Sequence, residues 1–274
     1  MTPDPVPSLR QLLAFYLDAG VDCALAEDPV NRMLDDAPEP IASATESSRA
    51  VKPALQAQPT PPPPRPAQPA TPDAAIVSAR ESAATAPTLE ALRDLMQRFD
   101  GCALRGTAKQ LVFADGNPQA KLMLVGEAPG RDEDIEGLPF VGRSGKLLDL
   151  MLAAIGLDRN SVYIANVIPW RPPGNRTPTP QETQICLPFI KRQIELVNPD
   201  LLVTLGNPST QALLGTRDGI MRTRGRWFDF DTGTRTIRAL PTLHPAYLLR
   251  QPTYKRLAWQ DLRAIATALA AISA

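Results

Sequence analysis

Three short segments of this chain combine polar side chains with the turn residues that would fix them in place. The first is Gly126-Glu127-Ala128-Pro129-Gly130, followed by Asp132, Glu133 and Asp134, and then by the Gly137–Gly142 stretch that contains Phe140. No Gly-Lys-Ser/Thr follows and no GxGxxG is present, so this is neither a Walker loop nor a dinucleotide fingerprint. Four carboxylates also make it a poor phosphate cradle. Glu127 suits general-base or electrostatic work in a cleft, and by itself it suits helix capping equally well. The second segment runs from Asn166 to Arg176 through Trp170, Arg171 and a Pro-Pro-Gly turn. An Asn amide presents a donor and an acceptor side by side, the pattern that reads a base edge. The stiff turn between Arg171 and Arg176 can grip a nucleic-acid backbone; the same residues can also form a plain turn with solvated arginines. The third segment is Thr242 to Arg250, with His244-Pro245 near its start. His244 is the only histidine in the chain, which argues against the usual zinc sites.

The elements around these segments predict where they sit. Lys121–Val125 is a short apolar run that stops at Gly126, and Val162–Ala165 and Leu201–Leu205 are two more, the last ending at Gly206. Helical periodicity is present from Thr88 to near Gly101, over Ser144–Ile155, over Gln181–Val197 and over Lys255–Ile272. Arg226–Phe230 and Thr236–Leu240 read as a hairpin leading to a last strand. Strand–helix alternation with continuous apolar strands implies an α/β fold, a mainly parallel sheet covered on both faces. Ligands of such sheets bind beyond the carboxyl ends of the strands, where all three segments fall.

The whole chain has 274 residues, with 29 basic and 29 acidic side chains. That balance hides an asymmetry: residues 1–87 carry a net charge of −5 and residues 88–274 a net of +5. A basic region behind an acidic leader fits a polyanion-binding domain with an appendage. Eleven of the 30 prolines lie between Pro38 and Pro72, so 38–72 reads as a disordered, locally extended linker. Ahead of it, in segment 1–37, Leu9, Leu12, Leu13, Tyr16 and Leu17 share one helical face behind a Ser8 cap. That face either docks back on the domain or binds a protein partner. Residues 73–274 form the expected globular domain. No apolar run approaches the ~20 residues that a bilayer demands, which excludes an integral membrane protein. Three cysteines cannot build a disulfide scaffold, and with no secretory signal the expectation is a cytoplasmic monomer.

From about Gly101 onward the chain resembles the uracil-DNA glycosylase superfamily, most closely its family four. The resemblance rests on residues 126–130 and 137–149, on Asn166-Val167 with Arg171–Arg176, and on His244–Arg250. It implies a three-layer α/β/α sandwich around a central, mainly parallel four-stranded sheet. It further implies hydrolysis of uracil from DNA to leave an abasic site, with uracil-containing DNA as the partner. Glu127 is similar to the acidic residue that activates the attacking water, and His244 to the histidine that hydrogen-bonds uracil O2. Phe140 resembles the aromatic that stacks on the extruded base, and Asn166 the amide that reads its N3–H and O4 edge. Gly126, Ala128 and Glu133 belong to the same pocket. Leu249 and Arg250 resemble a minor-groove wedge, Gly206–Ser209 a phosphate-contacting loop, and Arg171 and Arg176 further DNA contacts. A low-turnover protein that binds uracil or abasic sites on the same scaffold is the alternative.

Family four normally holds an iron–sulfur cluster on four cysteines. Cys102 and Cys186 match two of those positions, while Phe99 and Trp170 occupy the other two. The expectation is therefore a branch with no cofactor and no metal. The three loops hold no lysine to attack the sugar, so no lyase step is expected.

Overall fold

The computed structural model describes residues 72–273. The predicted helix around Leu9–Leu17 and the proline-rich stretch up to Thr71 lie outside the described residues. The helices are α1 (Pro72–Thr85), α2 (Leu89–Arg98), α3 (Leu104–Thr107), α4 (Arg131–Glu136), α5 (Arg143–Ala153), α6 (Pro180–Val197), α7 (Asn207–Leu214), α8 (Ile220–Thr223), α9 (Pro245–Arg250) and α10 (Lys255–Ser273). The strands are β1 (Asp115–Gly116), β2 (Leu122–Gly126), β3 (Val162–Asn166), β4 (Leu201–Leu205), β5 (Phe228–Asp231) and β6 (Thr236–Thr242).

They form one sheet in the order β1-β3-β2-β4-β6-β5. The inner four, β3, β2, β4 and β6, run parallel, with Gly126 level with Asn166 and Leu205 level with Thr242. This is the expected parallel four, widened by an antiparallel strand at each edge. The second arm of the β5–β6 hairpin is itself the last parallel strand; no further strand follows it, which corrects the reading of a hairpin that leads to one. Both edge strands are short, which limits the unpaired backbone they offer to a neighbouring sheet.

Alternation along the strands divides the core. Met123 and Val125 of β2, Tyr163 and Ala165 of β3 and Leu202 of β4 pack beneath α1, α2 and α6. Leu122, Leu124, Ile164, Leu201 and Val203 point the other way, against α5 and α10. Helices on both faces of one sheet give the three layers. Helix α6 starts in a reciprocal cap between Thr179 and Glu182, then buries Ile185, Cys186, Phe189, Ile190 and Ile194.

Helix α1 has no counterpart in the sequence reading. Its buried side chains are Ala75, Ala79 and Ala83, one turn apart, and it packs along α6. An alanine stripe lets two helix backbones come close. It carries little hydrophobic signal in a sequence window, so this helix, which begins at the last proline of the stretch read as linker, went unseen.

Candidate functional site

The carboxyl ends of β2, β3 and β6, together with the loop 137–142, surround a cavity of about 370 Å³. Its lining includes Glu127, Glu133, Phe140, Asn166, His244 and Arg250. Three segments far apart in sequence thus meet at the edge where parallel sheets bind ligands. The β2–β3 pairing continues past the strands, with Val167 N–H donating to Gly126 O (3.0 Å) and Ile168 N–H to Glu127 O (2.9 Å). These bonds draw the Glu127 and Asn166 loops together.

Gly126 lies at the floor. A Cβ there would stand 2.4 Å from Asn166 Oδ1 and 2.7 Å from the Phe140 ring, so only glycine permits this convergence. The Phe140 ring also stacks on the His244 imidazole, with centroids 5.4 Å apart and planes at 28°. Asn166 is buried, and its Oδ1 has no hydrogen-bond partner. An orphaned buried acceptor costs about 1–3 kcal/mol, so this one calls for a donor from a ligand.

His244 is the N-cap of α9, and its Nδ1 accepts from Ala246 N–H at 3.1 Å. A nitrogen that accepts carries no proton, so the neutral ring is protonated on Nε2. Burial, reinforced by the Arg250 charge, pushes its pKa down to about 4. The imidazole therefore stays neutral at physiological pH with an N–H left to donate. Glu127 has the opposite perturbation: burial raises its carboxyl pKa. Its carboxylate has no hydrogen-bond or ion-pair partner among the described residues, which rules out the helix-capping role.

Glu133 lines the cavity, but its carboxylate is fully engaged. Oε1 accepts from Val141 and Gly142 N–H, both at 3.1 Å, and Oε2 from Gly130 N–H at 3.0 Å. It fastens the 137–142 loop to the Gly130 turn. Arg171 donates to Asn175 Oδ1 at 2.7 Å and lies 3.8 Å from the buried Asp134, behind the cavity. Arg176 reaches the cavity, and both arms of its guanidinium pair with Glu182. Both arginines thus secure the Pro-Pro-Gly turn with charge that is already countered. Leu249 is solvent-exposed beside Arg250 at the end of α9.

One expected contact fails. Ser209 is fully buried, and its Oγ donates to the carbonyls of Leu205 (3.1 Å) and Gly206 (3.2 Å), so it cannot touch DNA. In that loop Asn207, not Ser209, faces an adjoining cavity of about 320 Å³ that also includes Glu127, His244 and Arg250. Asn175, Ser144 and Thr177 are further lining residues that sequence reasoning did not single out. Asn175 was legible within its motif, since a residue beside Gly174 in the left-handed region suits Asn, and its φ is 55°.

The four family cluster positions meet on the α6 side of the sheet. Cys102 and Cys186 are buried with their sulfurs 4.0 Å apart, and Phe99 and Trp170 are buried in the same core. Phe99 packs edge-on against Phe189 at 5.0 Å. Two thiols beside a phenyl and an indole ring do not fit a cluster held by four thiolates.

Comparison with known proteins agrees with this geometry. A profile of the uracil DNA glycosylase superfamily matches residues 113–263. A type-4 uracil-DNA glycosylase of Archaeoglobus fulgidus is 38% identical over 184 residues, covering 65% of this chain and 92% of the relative. Those of Saccharolobus solfataricus and Thermotoga maritima are each 38% identical, covering 66% and 64% of this chain and 86% and 91% of the relatives. The match spans all six strands and every wall of the cavity, and the chain belongs to the uracil DNA glycosylase superfamily.

Proposed function

We propose that this chain is a DNA repair glycosylase that takes uracil out of the DNA stack and hydrolyses its N-glycosidic bond. The observation that carries this reading is the pairing of the orphaned Asn166 Oδ1 with the neutral His244 donor across one cavity. Uracil supplies the complement, with an N3–H donor between the O2 and O4 acceptors. Asn166 Oδ1 takes the N3–H, the amide NH₂ faces O4, and His244 Nε2–H faces O2. Phe140 covers one face of the ring.

Cleavage moves charge in opposite directions. As the C1′–N1 bond lengthens, the sugar becomes positive and the base negative, with the negative charge settling on O2. His244 donates to that oxygen, and an aligned donor of this type contributes about 3–4 kcal/mol to the transition state. Glu127 offsets the positive sugar and takes the proton of the water that attacks C1′. Uracil leaves as its anion and picks up a proton later. The cavity lining contains no lysine, which supports hydrolysis without a lyase step. Leu249, exposed at the rim, is suited to fill the space left by the extruded base, and Arg250 beside it to meet a phosphate. The aromatic filling at Phe99 and Trp170 supports a protein that works without the family cluster.

The test is release of free uracil from uracil-containing oligonucleotides by the purified full chain. Many turnovers per enzyme are expected. Tight binding with less than one turnover would favour the low-turnover binding protein instead, and neither release nor binding would reject both.

A further inference from the structure

Phe140 is held against its own backbone preference. Its φ of 55° lies in the left-handed region, which bulky side chains seldom occupy. That conformation is what places the ring over Gly126 and against His244. The carbonyl oxygen of Phe140 accepts from Arg159 Nη2, and that of Pro139 from Nη1 at 3.2 Å. The same guanidinium pairs with Asp115 (2.5 Å) and Asp149 (2.8 Å). Arg159 stands in the 3-10 turn just ahead of β3, the strand whose far end carries Asn166. Gly145 of α5 packs from the other side, where a Cβ would come within 1.6 Å of the Phe140 carbonyl oxygen.

We infer that Arg159 is a positioning residue for the reaction, clamping the Phe140 carbonyl so that the ring remains a fixed platform for the extruded base. It touches no reacting atom and acts through Phe140. The planar fork of a guanidinium can serve two carbonyls and two carboxylates at once, whereas an ammonium is a single point of charge. Asp115 and Asp149 aim the fork and keep it charged. Released from the clamp, Phe140 relaxes to an ordinary backbone region and its ring leaves the pocket. This inference rests on the reading of the cavity as a uracil pocket.

The experiment is a double-mutant cycle in the full chain. Arg159→Ala and Phe140→Ala are compared singly and together for kcat/KM of uracil release, inhibition by free uracil and thermal midpoint. Arg159→Ala should lower kcat/KM by roughly 10- to 100-fold and weaken uracil inhibition, with Arg159→Lys in between. In the Phe140→Ala background the same change should alter kcat/KM by less than about twofold, because the ring it positions is gone. The drop in thermal midpoint should be equal in both backgrounds. If Arg159→Ala does not fold, Arg159→Lys runs the same cycle. Gly145→Ala, which crowds the carbonyl with Arg159 intact, should reproduce the loss. Additive losses in kcat/KM, or a wild-type-like Arg159→Ala, would overturn the inference. A wild-type chain that neither releases nor is inhibited by uracil would overturn the reading of the pocket first.

Discussion

At His244 the cap of a helix and the donor of a pocket are one imidazole, and its two nitrogens divide the work. Nδ1 accepts from the first turn of α9, which leaves Nε2–H as the donor on a ring that lines the cavity. His244→Ala should therefore lower kcat by about 100- to 1,000-fold with little change in DNA affinity, measured by single-turnover kinetics and binding, since the charge it meets exists only in the transition state. The pH behaviour separates the two titrating groups. Glu127 must be ionised to act and its pKa is raised, so kcat/KM should fall on the acid side at a pH above the usual carboxylate range. Glu127→Gln should abolish that limb along with most of the activity. For His244 the folded-state pKa of about 4 lies below the unfolded value of 6.5, so the unfolded chain binds more protons between them. Stability should thus rise as pH goes from 4 to 6.5 and be lost as it falls back, with a shallower slope in His244→Ala melts. Asn166→Asp should weaken uracil-over-cytosine selectivity, because a carboxylate repels O4 and accepts from a cytosine amino group; unchanged selectivity would contradict the base-reading role. Glu127, Asn166 and His244 stood out in the sequence because each lies at or just past a strand end, whereas Phe140 was named only through the family resemblance; all four line the cavity. Ser209 misled because a hydroxyl can turn inward to its own helix, and Arg159 was invisible because its partners are two backbone carbonyls and two carboxylates scattered over 44 residues of sequence.

Elements were legible where their side chains alternate or repeat in bulk. The runs that became β2, β3 and β4 were found within a residue of their ends, as were α6 and α10, and α5 within two, because each buries large apolar groups at a fixed period. Helix α1 was missed because its buried face is alanine, and the edge strand β1 because two residues carry no pattern. The aromatic replacements on the α6 side give a test at this scale. Trp170 is almost fully buried and begins the turn that carries Arg171 and Asn175. Trp170→Ala should cost about 3–5 kcal/mol of stability by denaturant melts. Changing Cys102 and Cys186 together to Ala should leave most of the activity in place, and iron analysis of the purified protein should find none at cluster stoichiometry. Inactivation on losing either thiol, with iron bound, would instead show a cluster held with only two of the family's four cysteines.

For the whole molecule, the sign of the charge and the position of α1 make one joint prediction. Residues 72–274 contain the sheet, both helical layers and every wall of the cavity. That fragment should release uracil as the full chain does, and its DNA binding should weaken steeply with salt as counterions are released. A fragment starting at residue 88 keeps the same site but uncovers the α6 surface under α1, so it should melt at a lower temperature. The change of charge between residues 87 and 88 thus falls inside the described fold, between α1 and α2. No helix among the described residues is long and apolar enough to cross a membrane.

The parallel order of the inner strands bears on when recognition becomes possible. Glu127 leaves β2 and His244 leaves β6, and these strands are joined only through β4. The wall between Glu127 and His244 is therefore a contact between distant parts of the chain, and such contacts form slowly because long loops must close before they are rewarded. Residues 1–235, which precede β6, carry 24 basic and 28 acidic side chains, so the excess of positive charge, like the His244 wall, arrives only with the last segment of the chain. On the proposed reading, attraction to DNA and discrimination between bases are therefore completed by the same final strand and the helices after it.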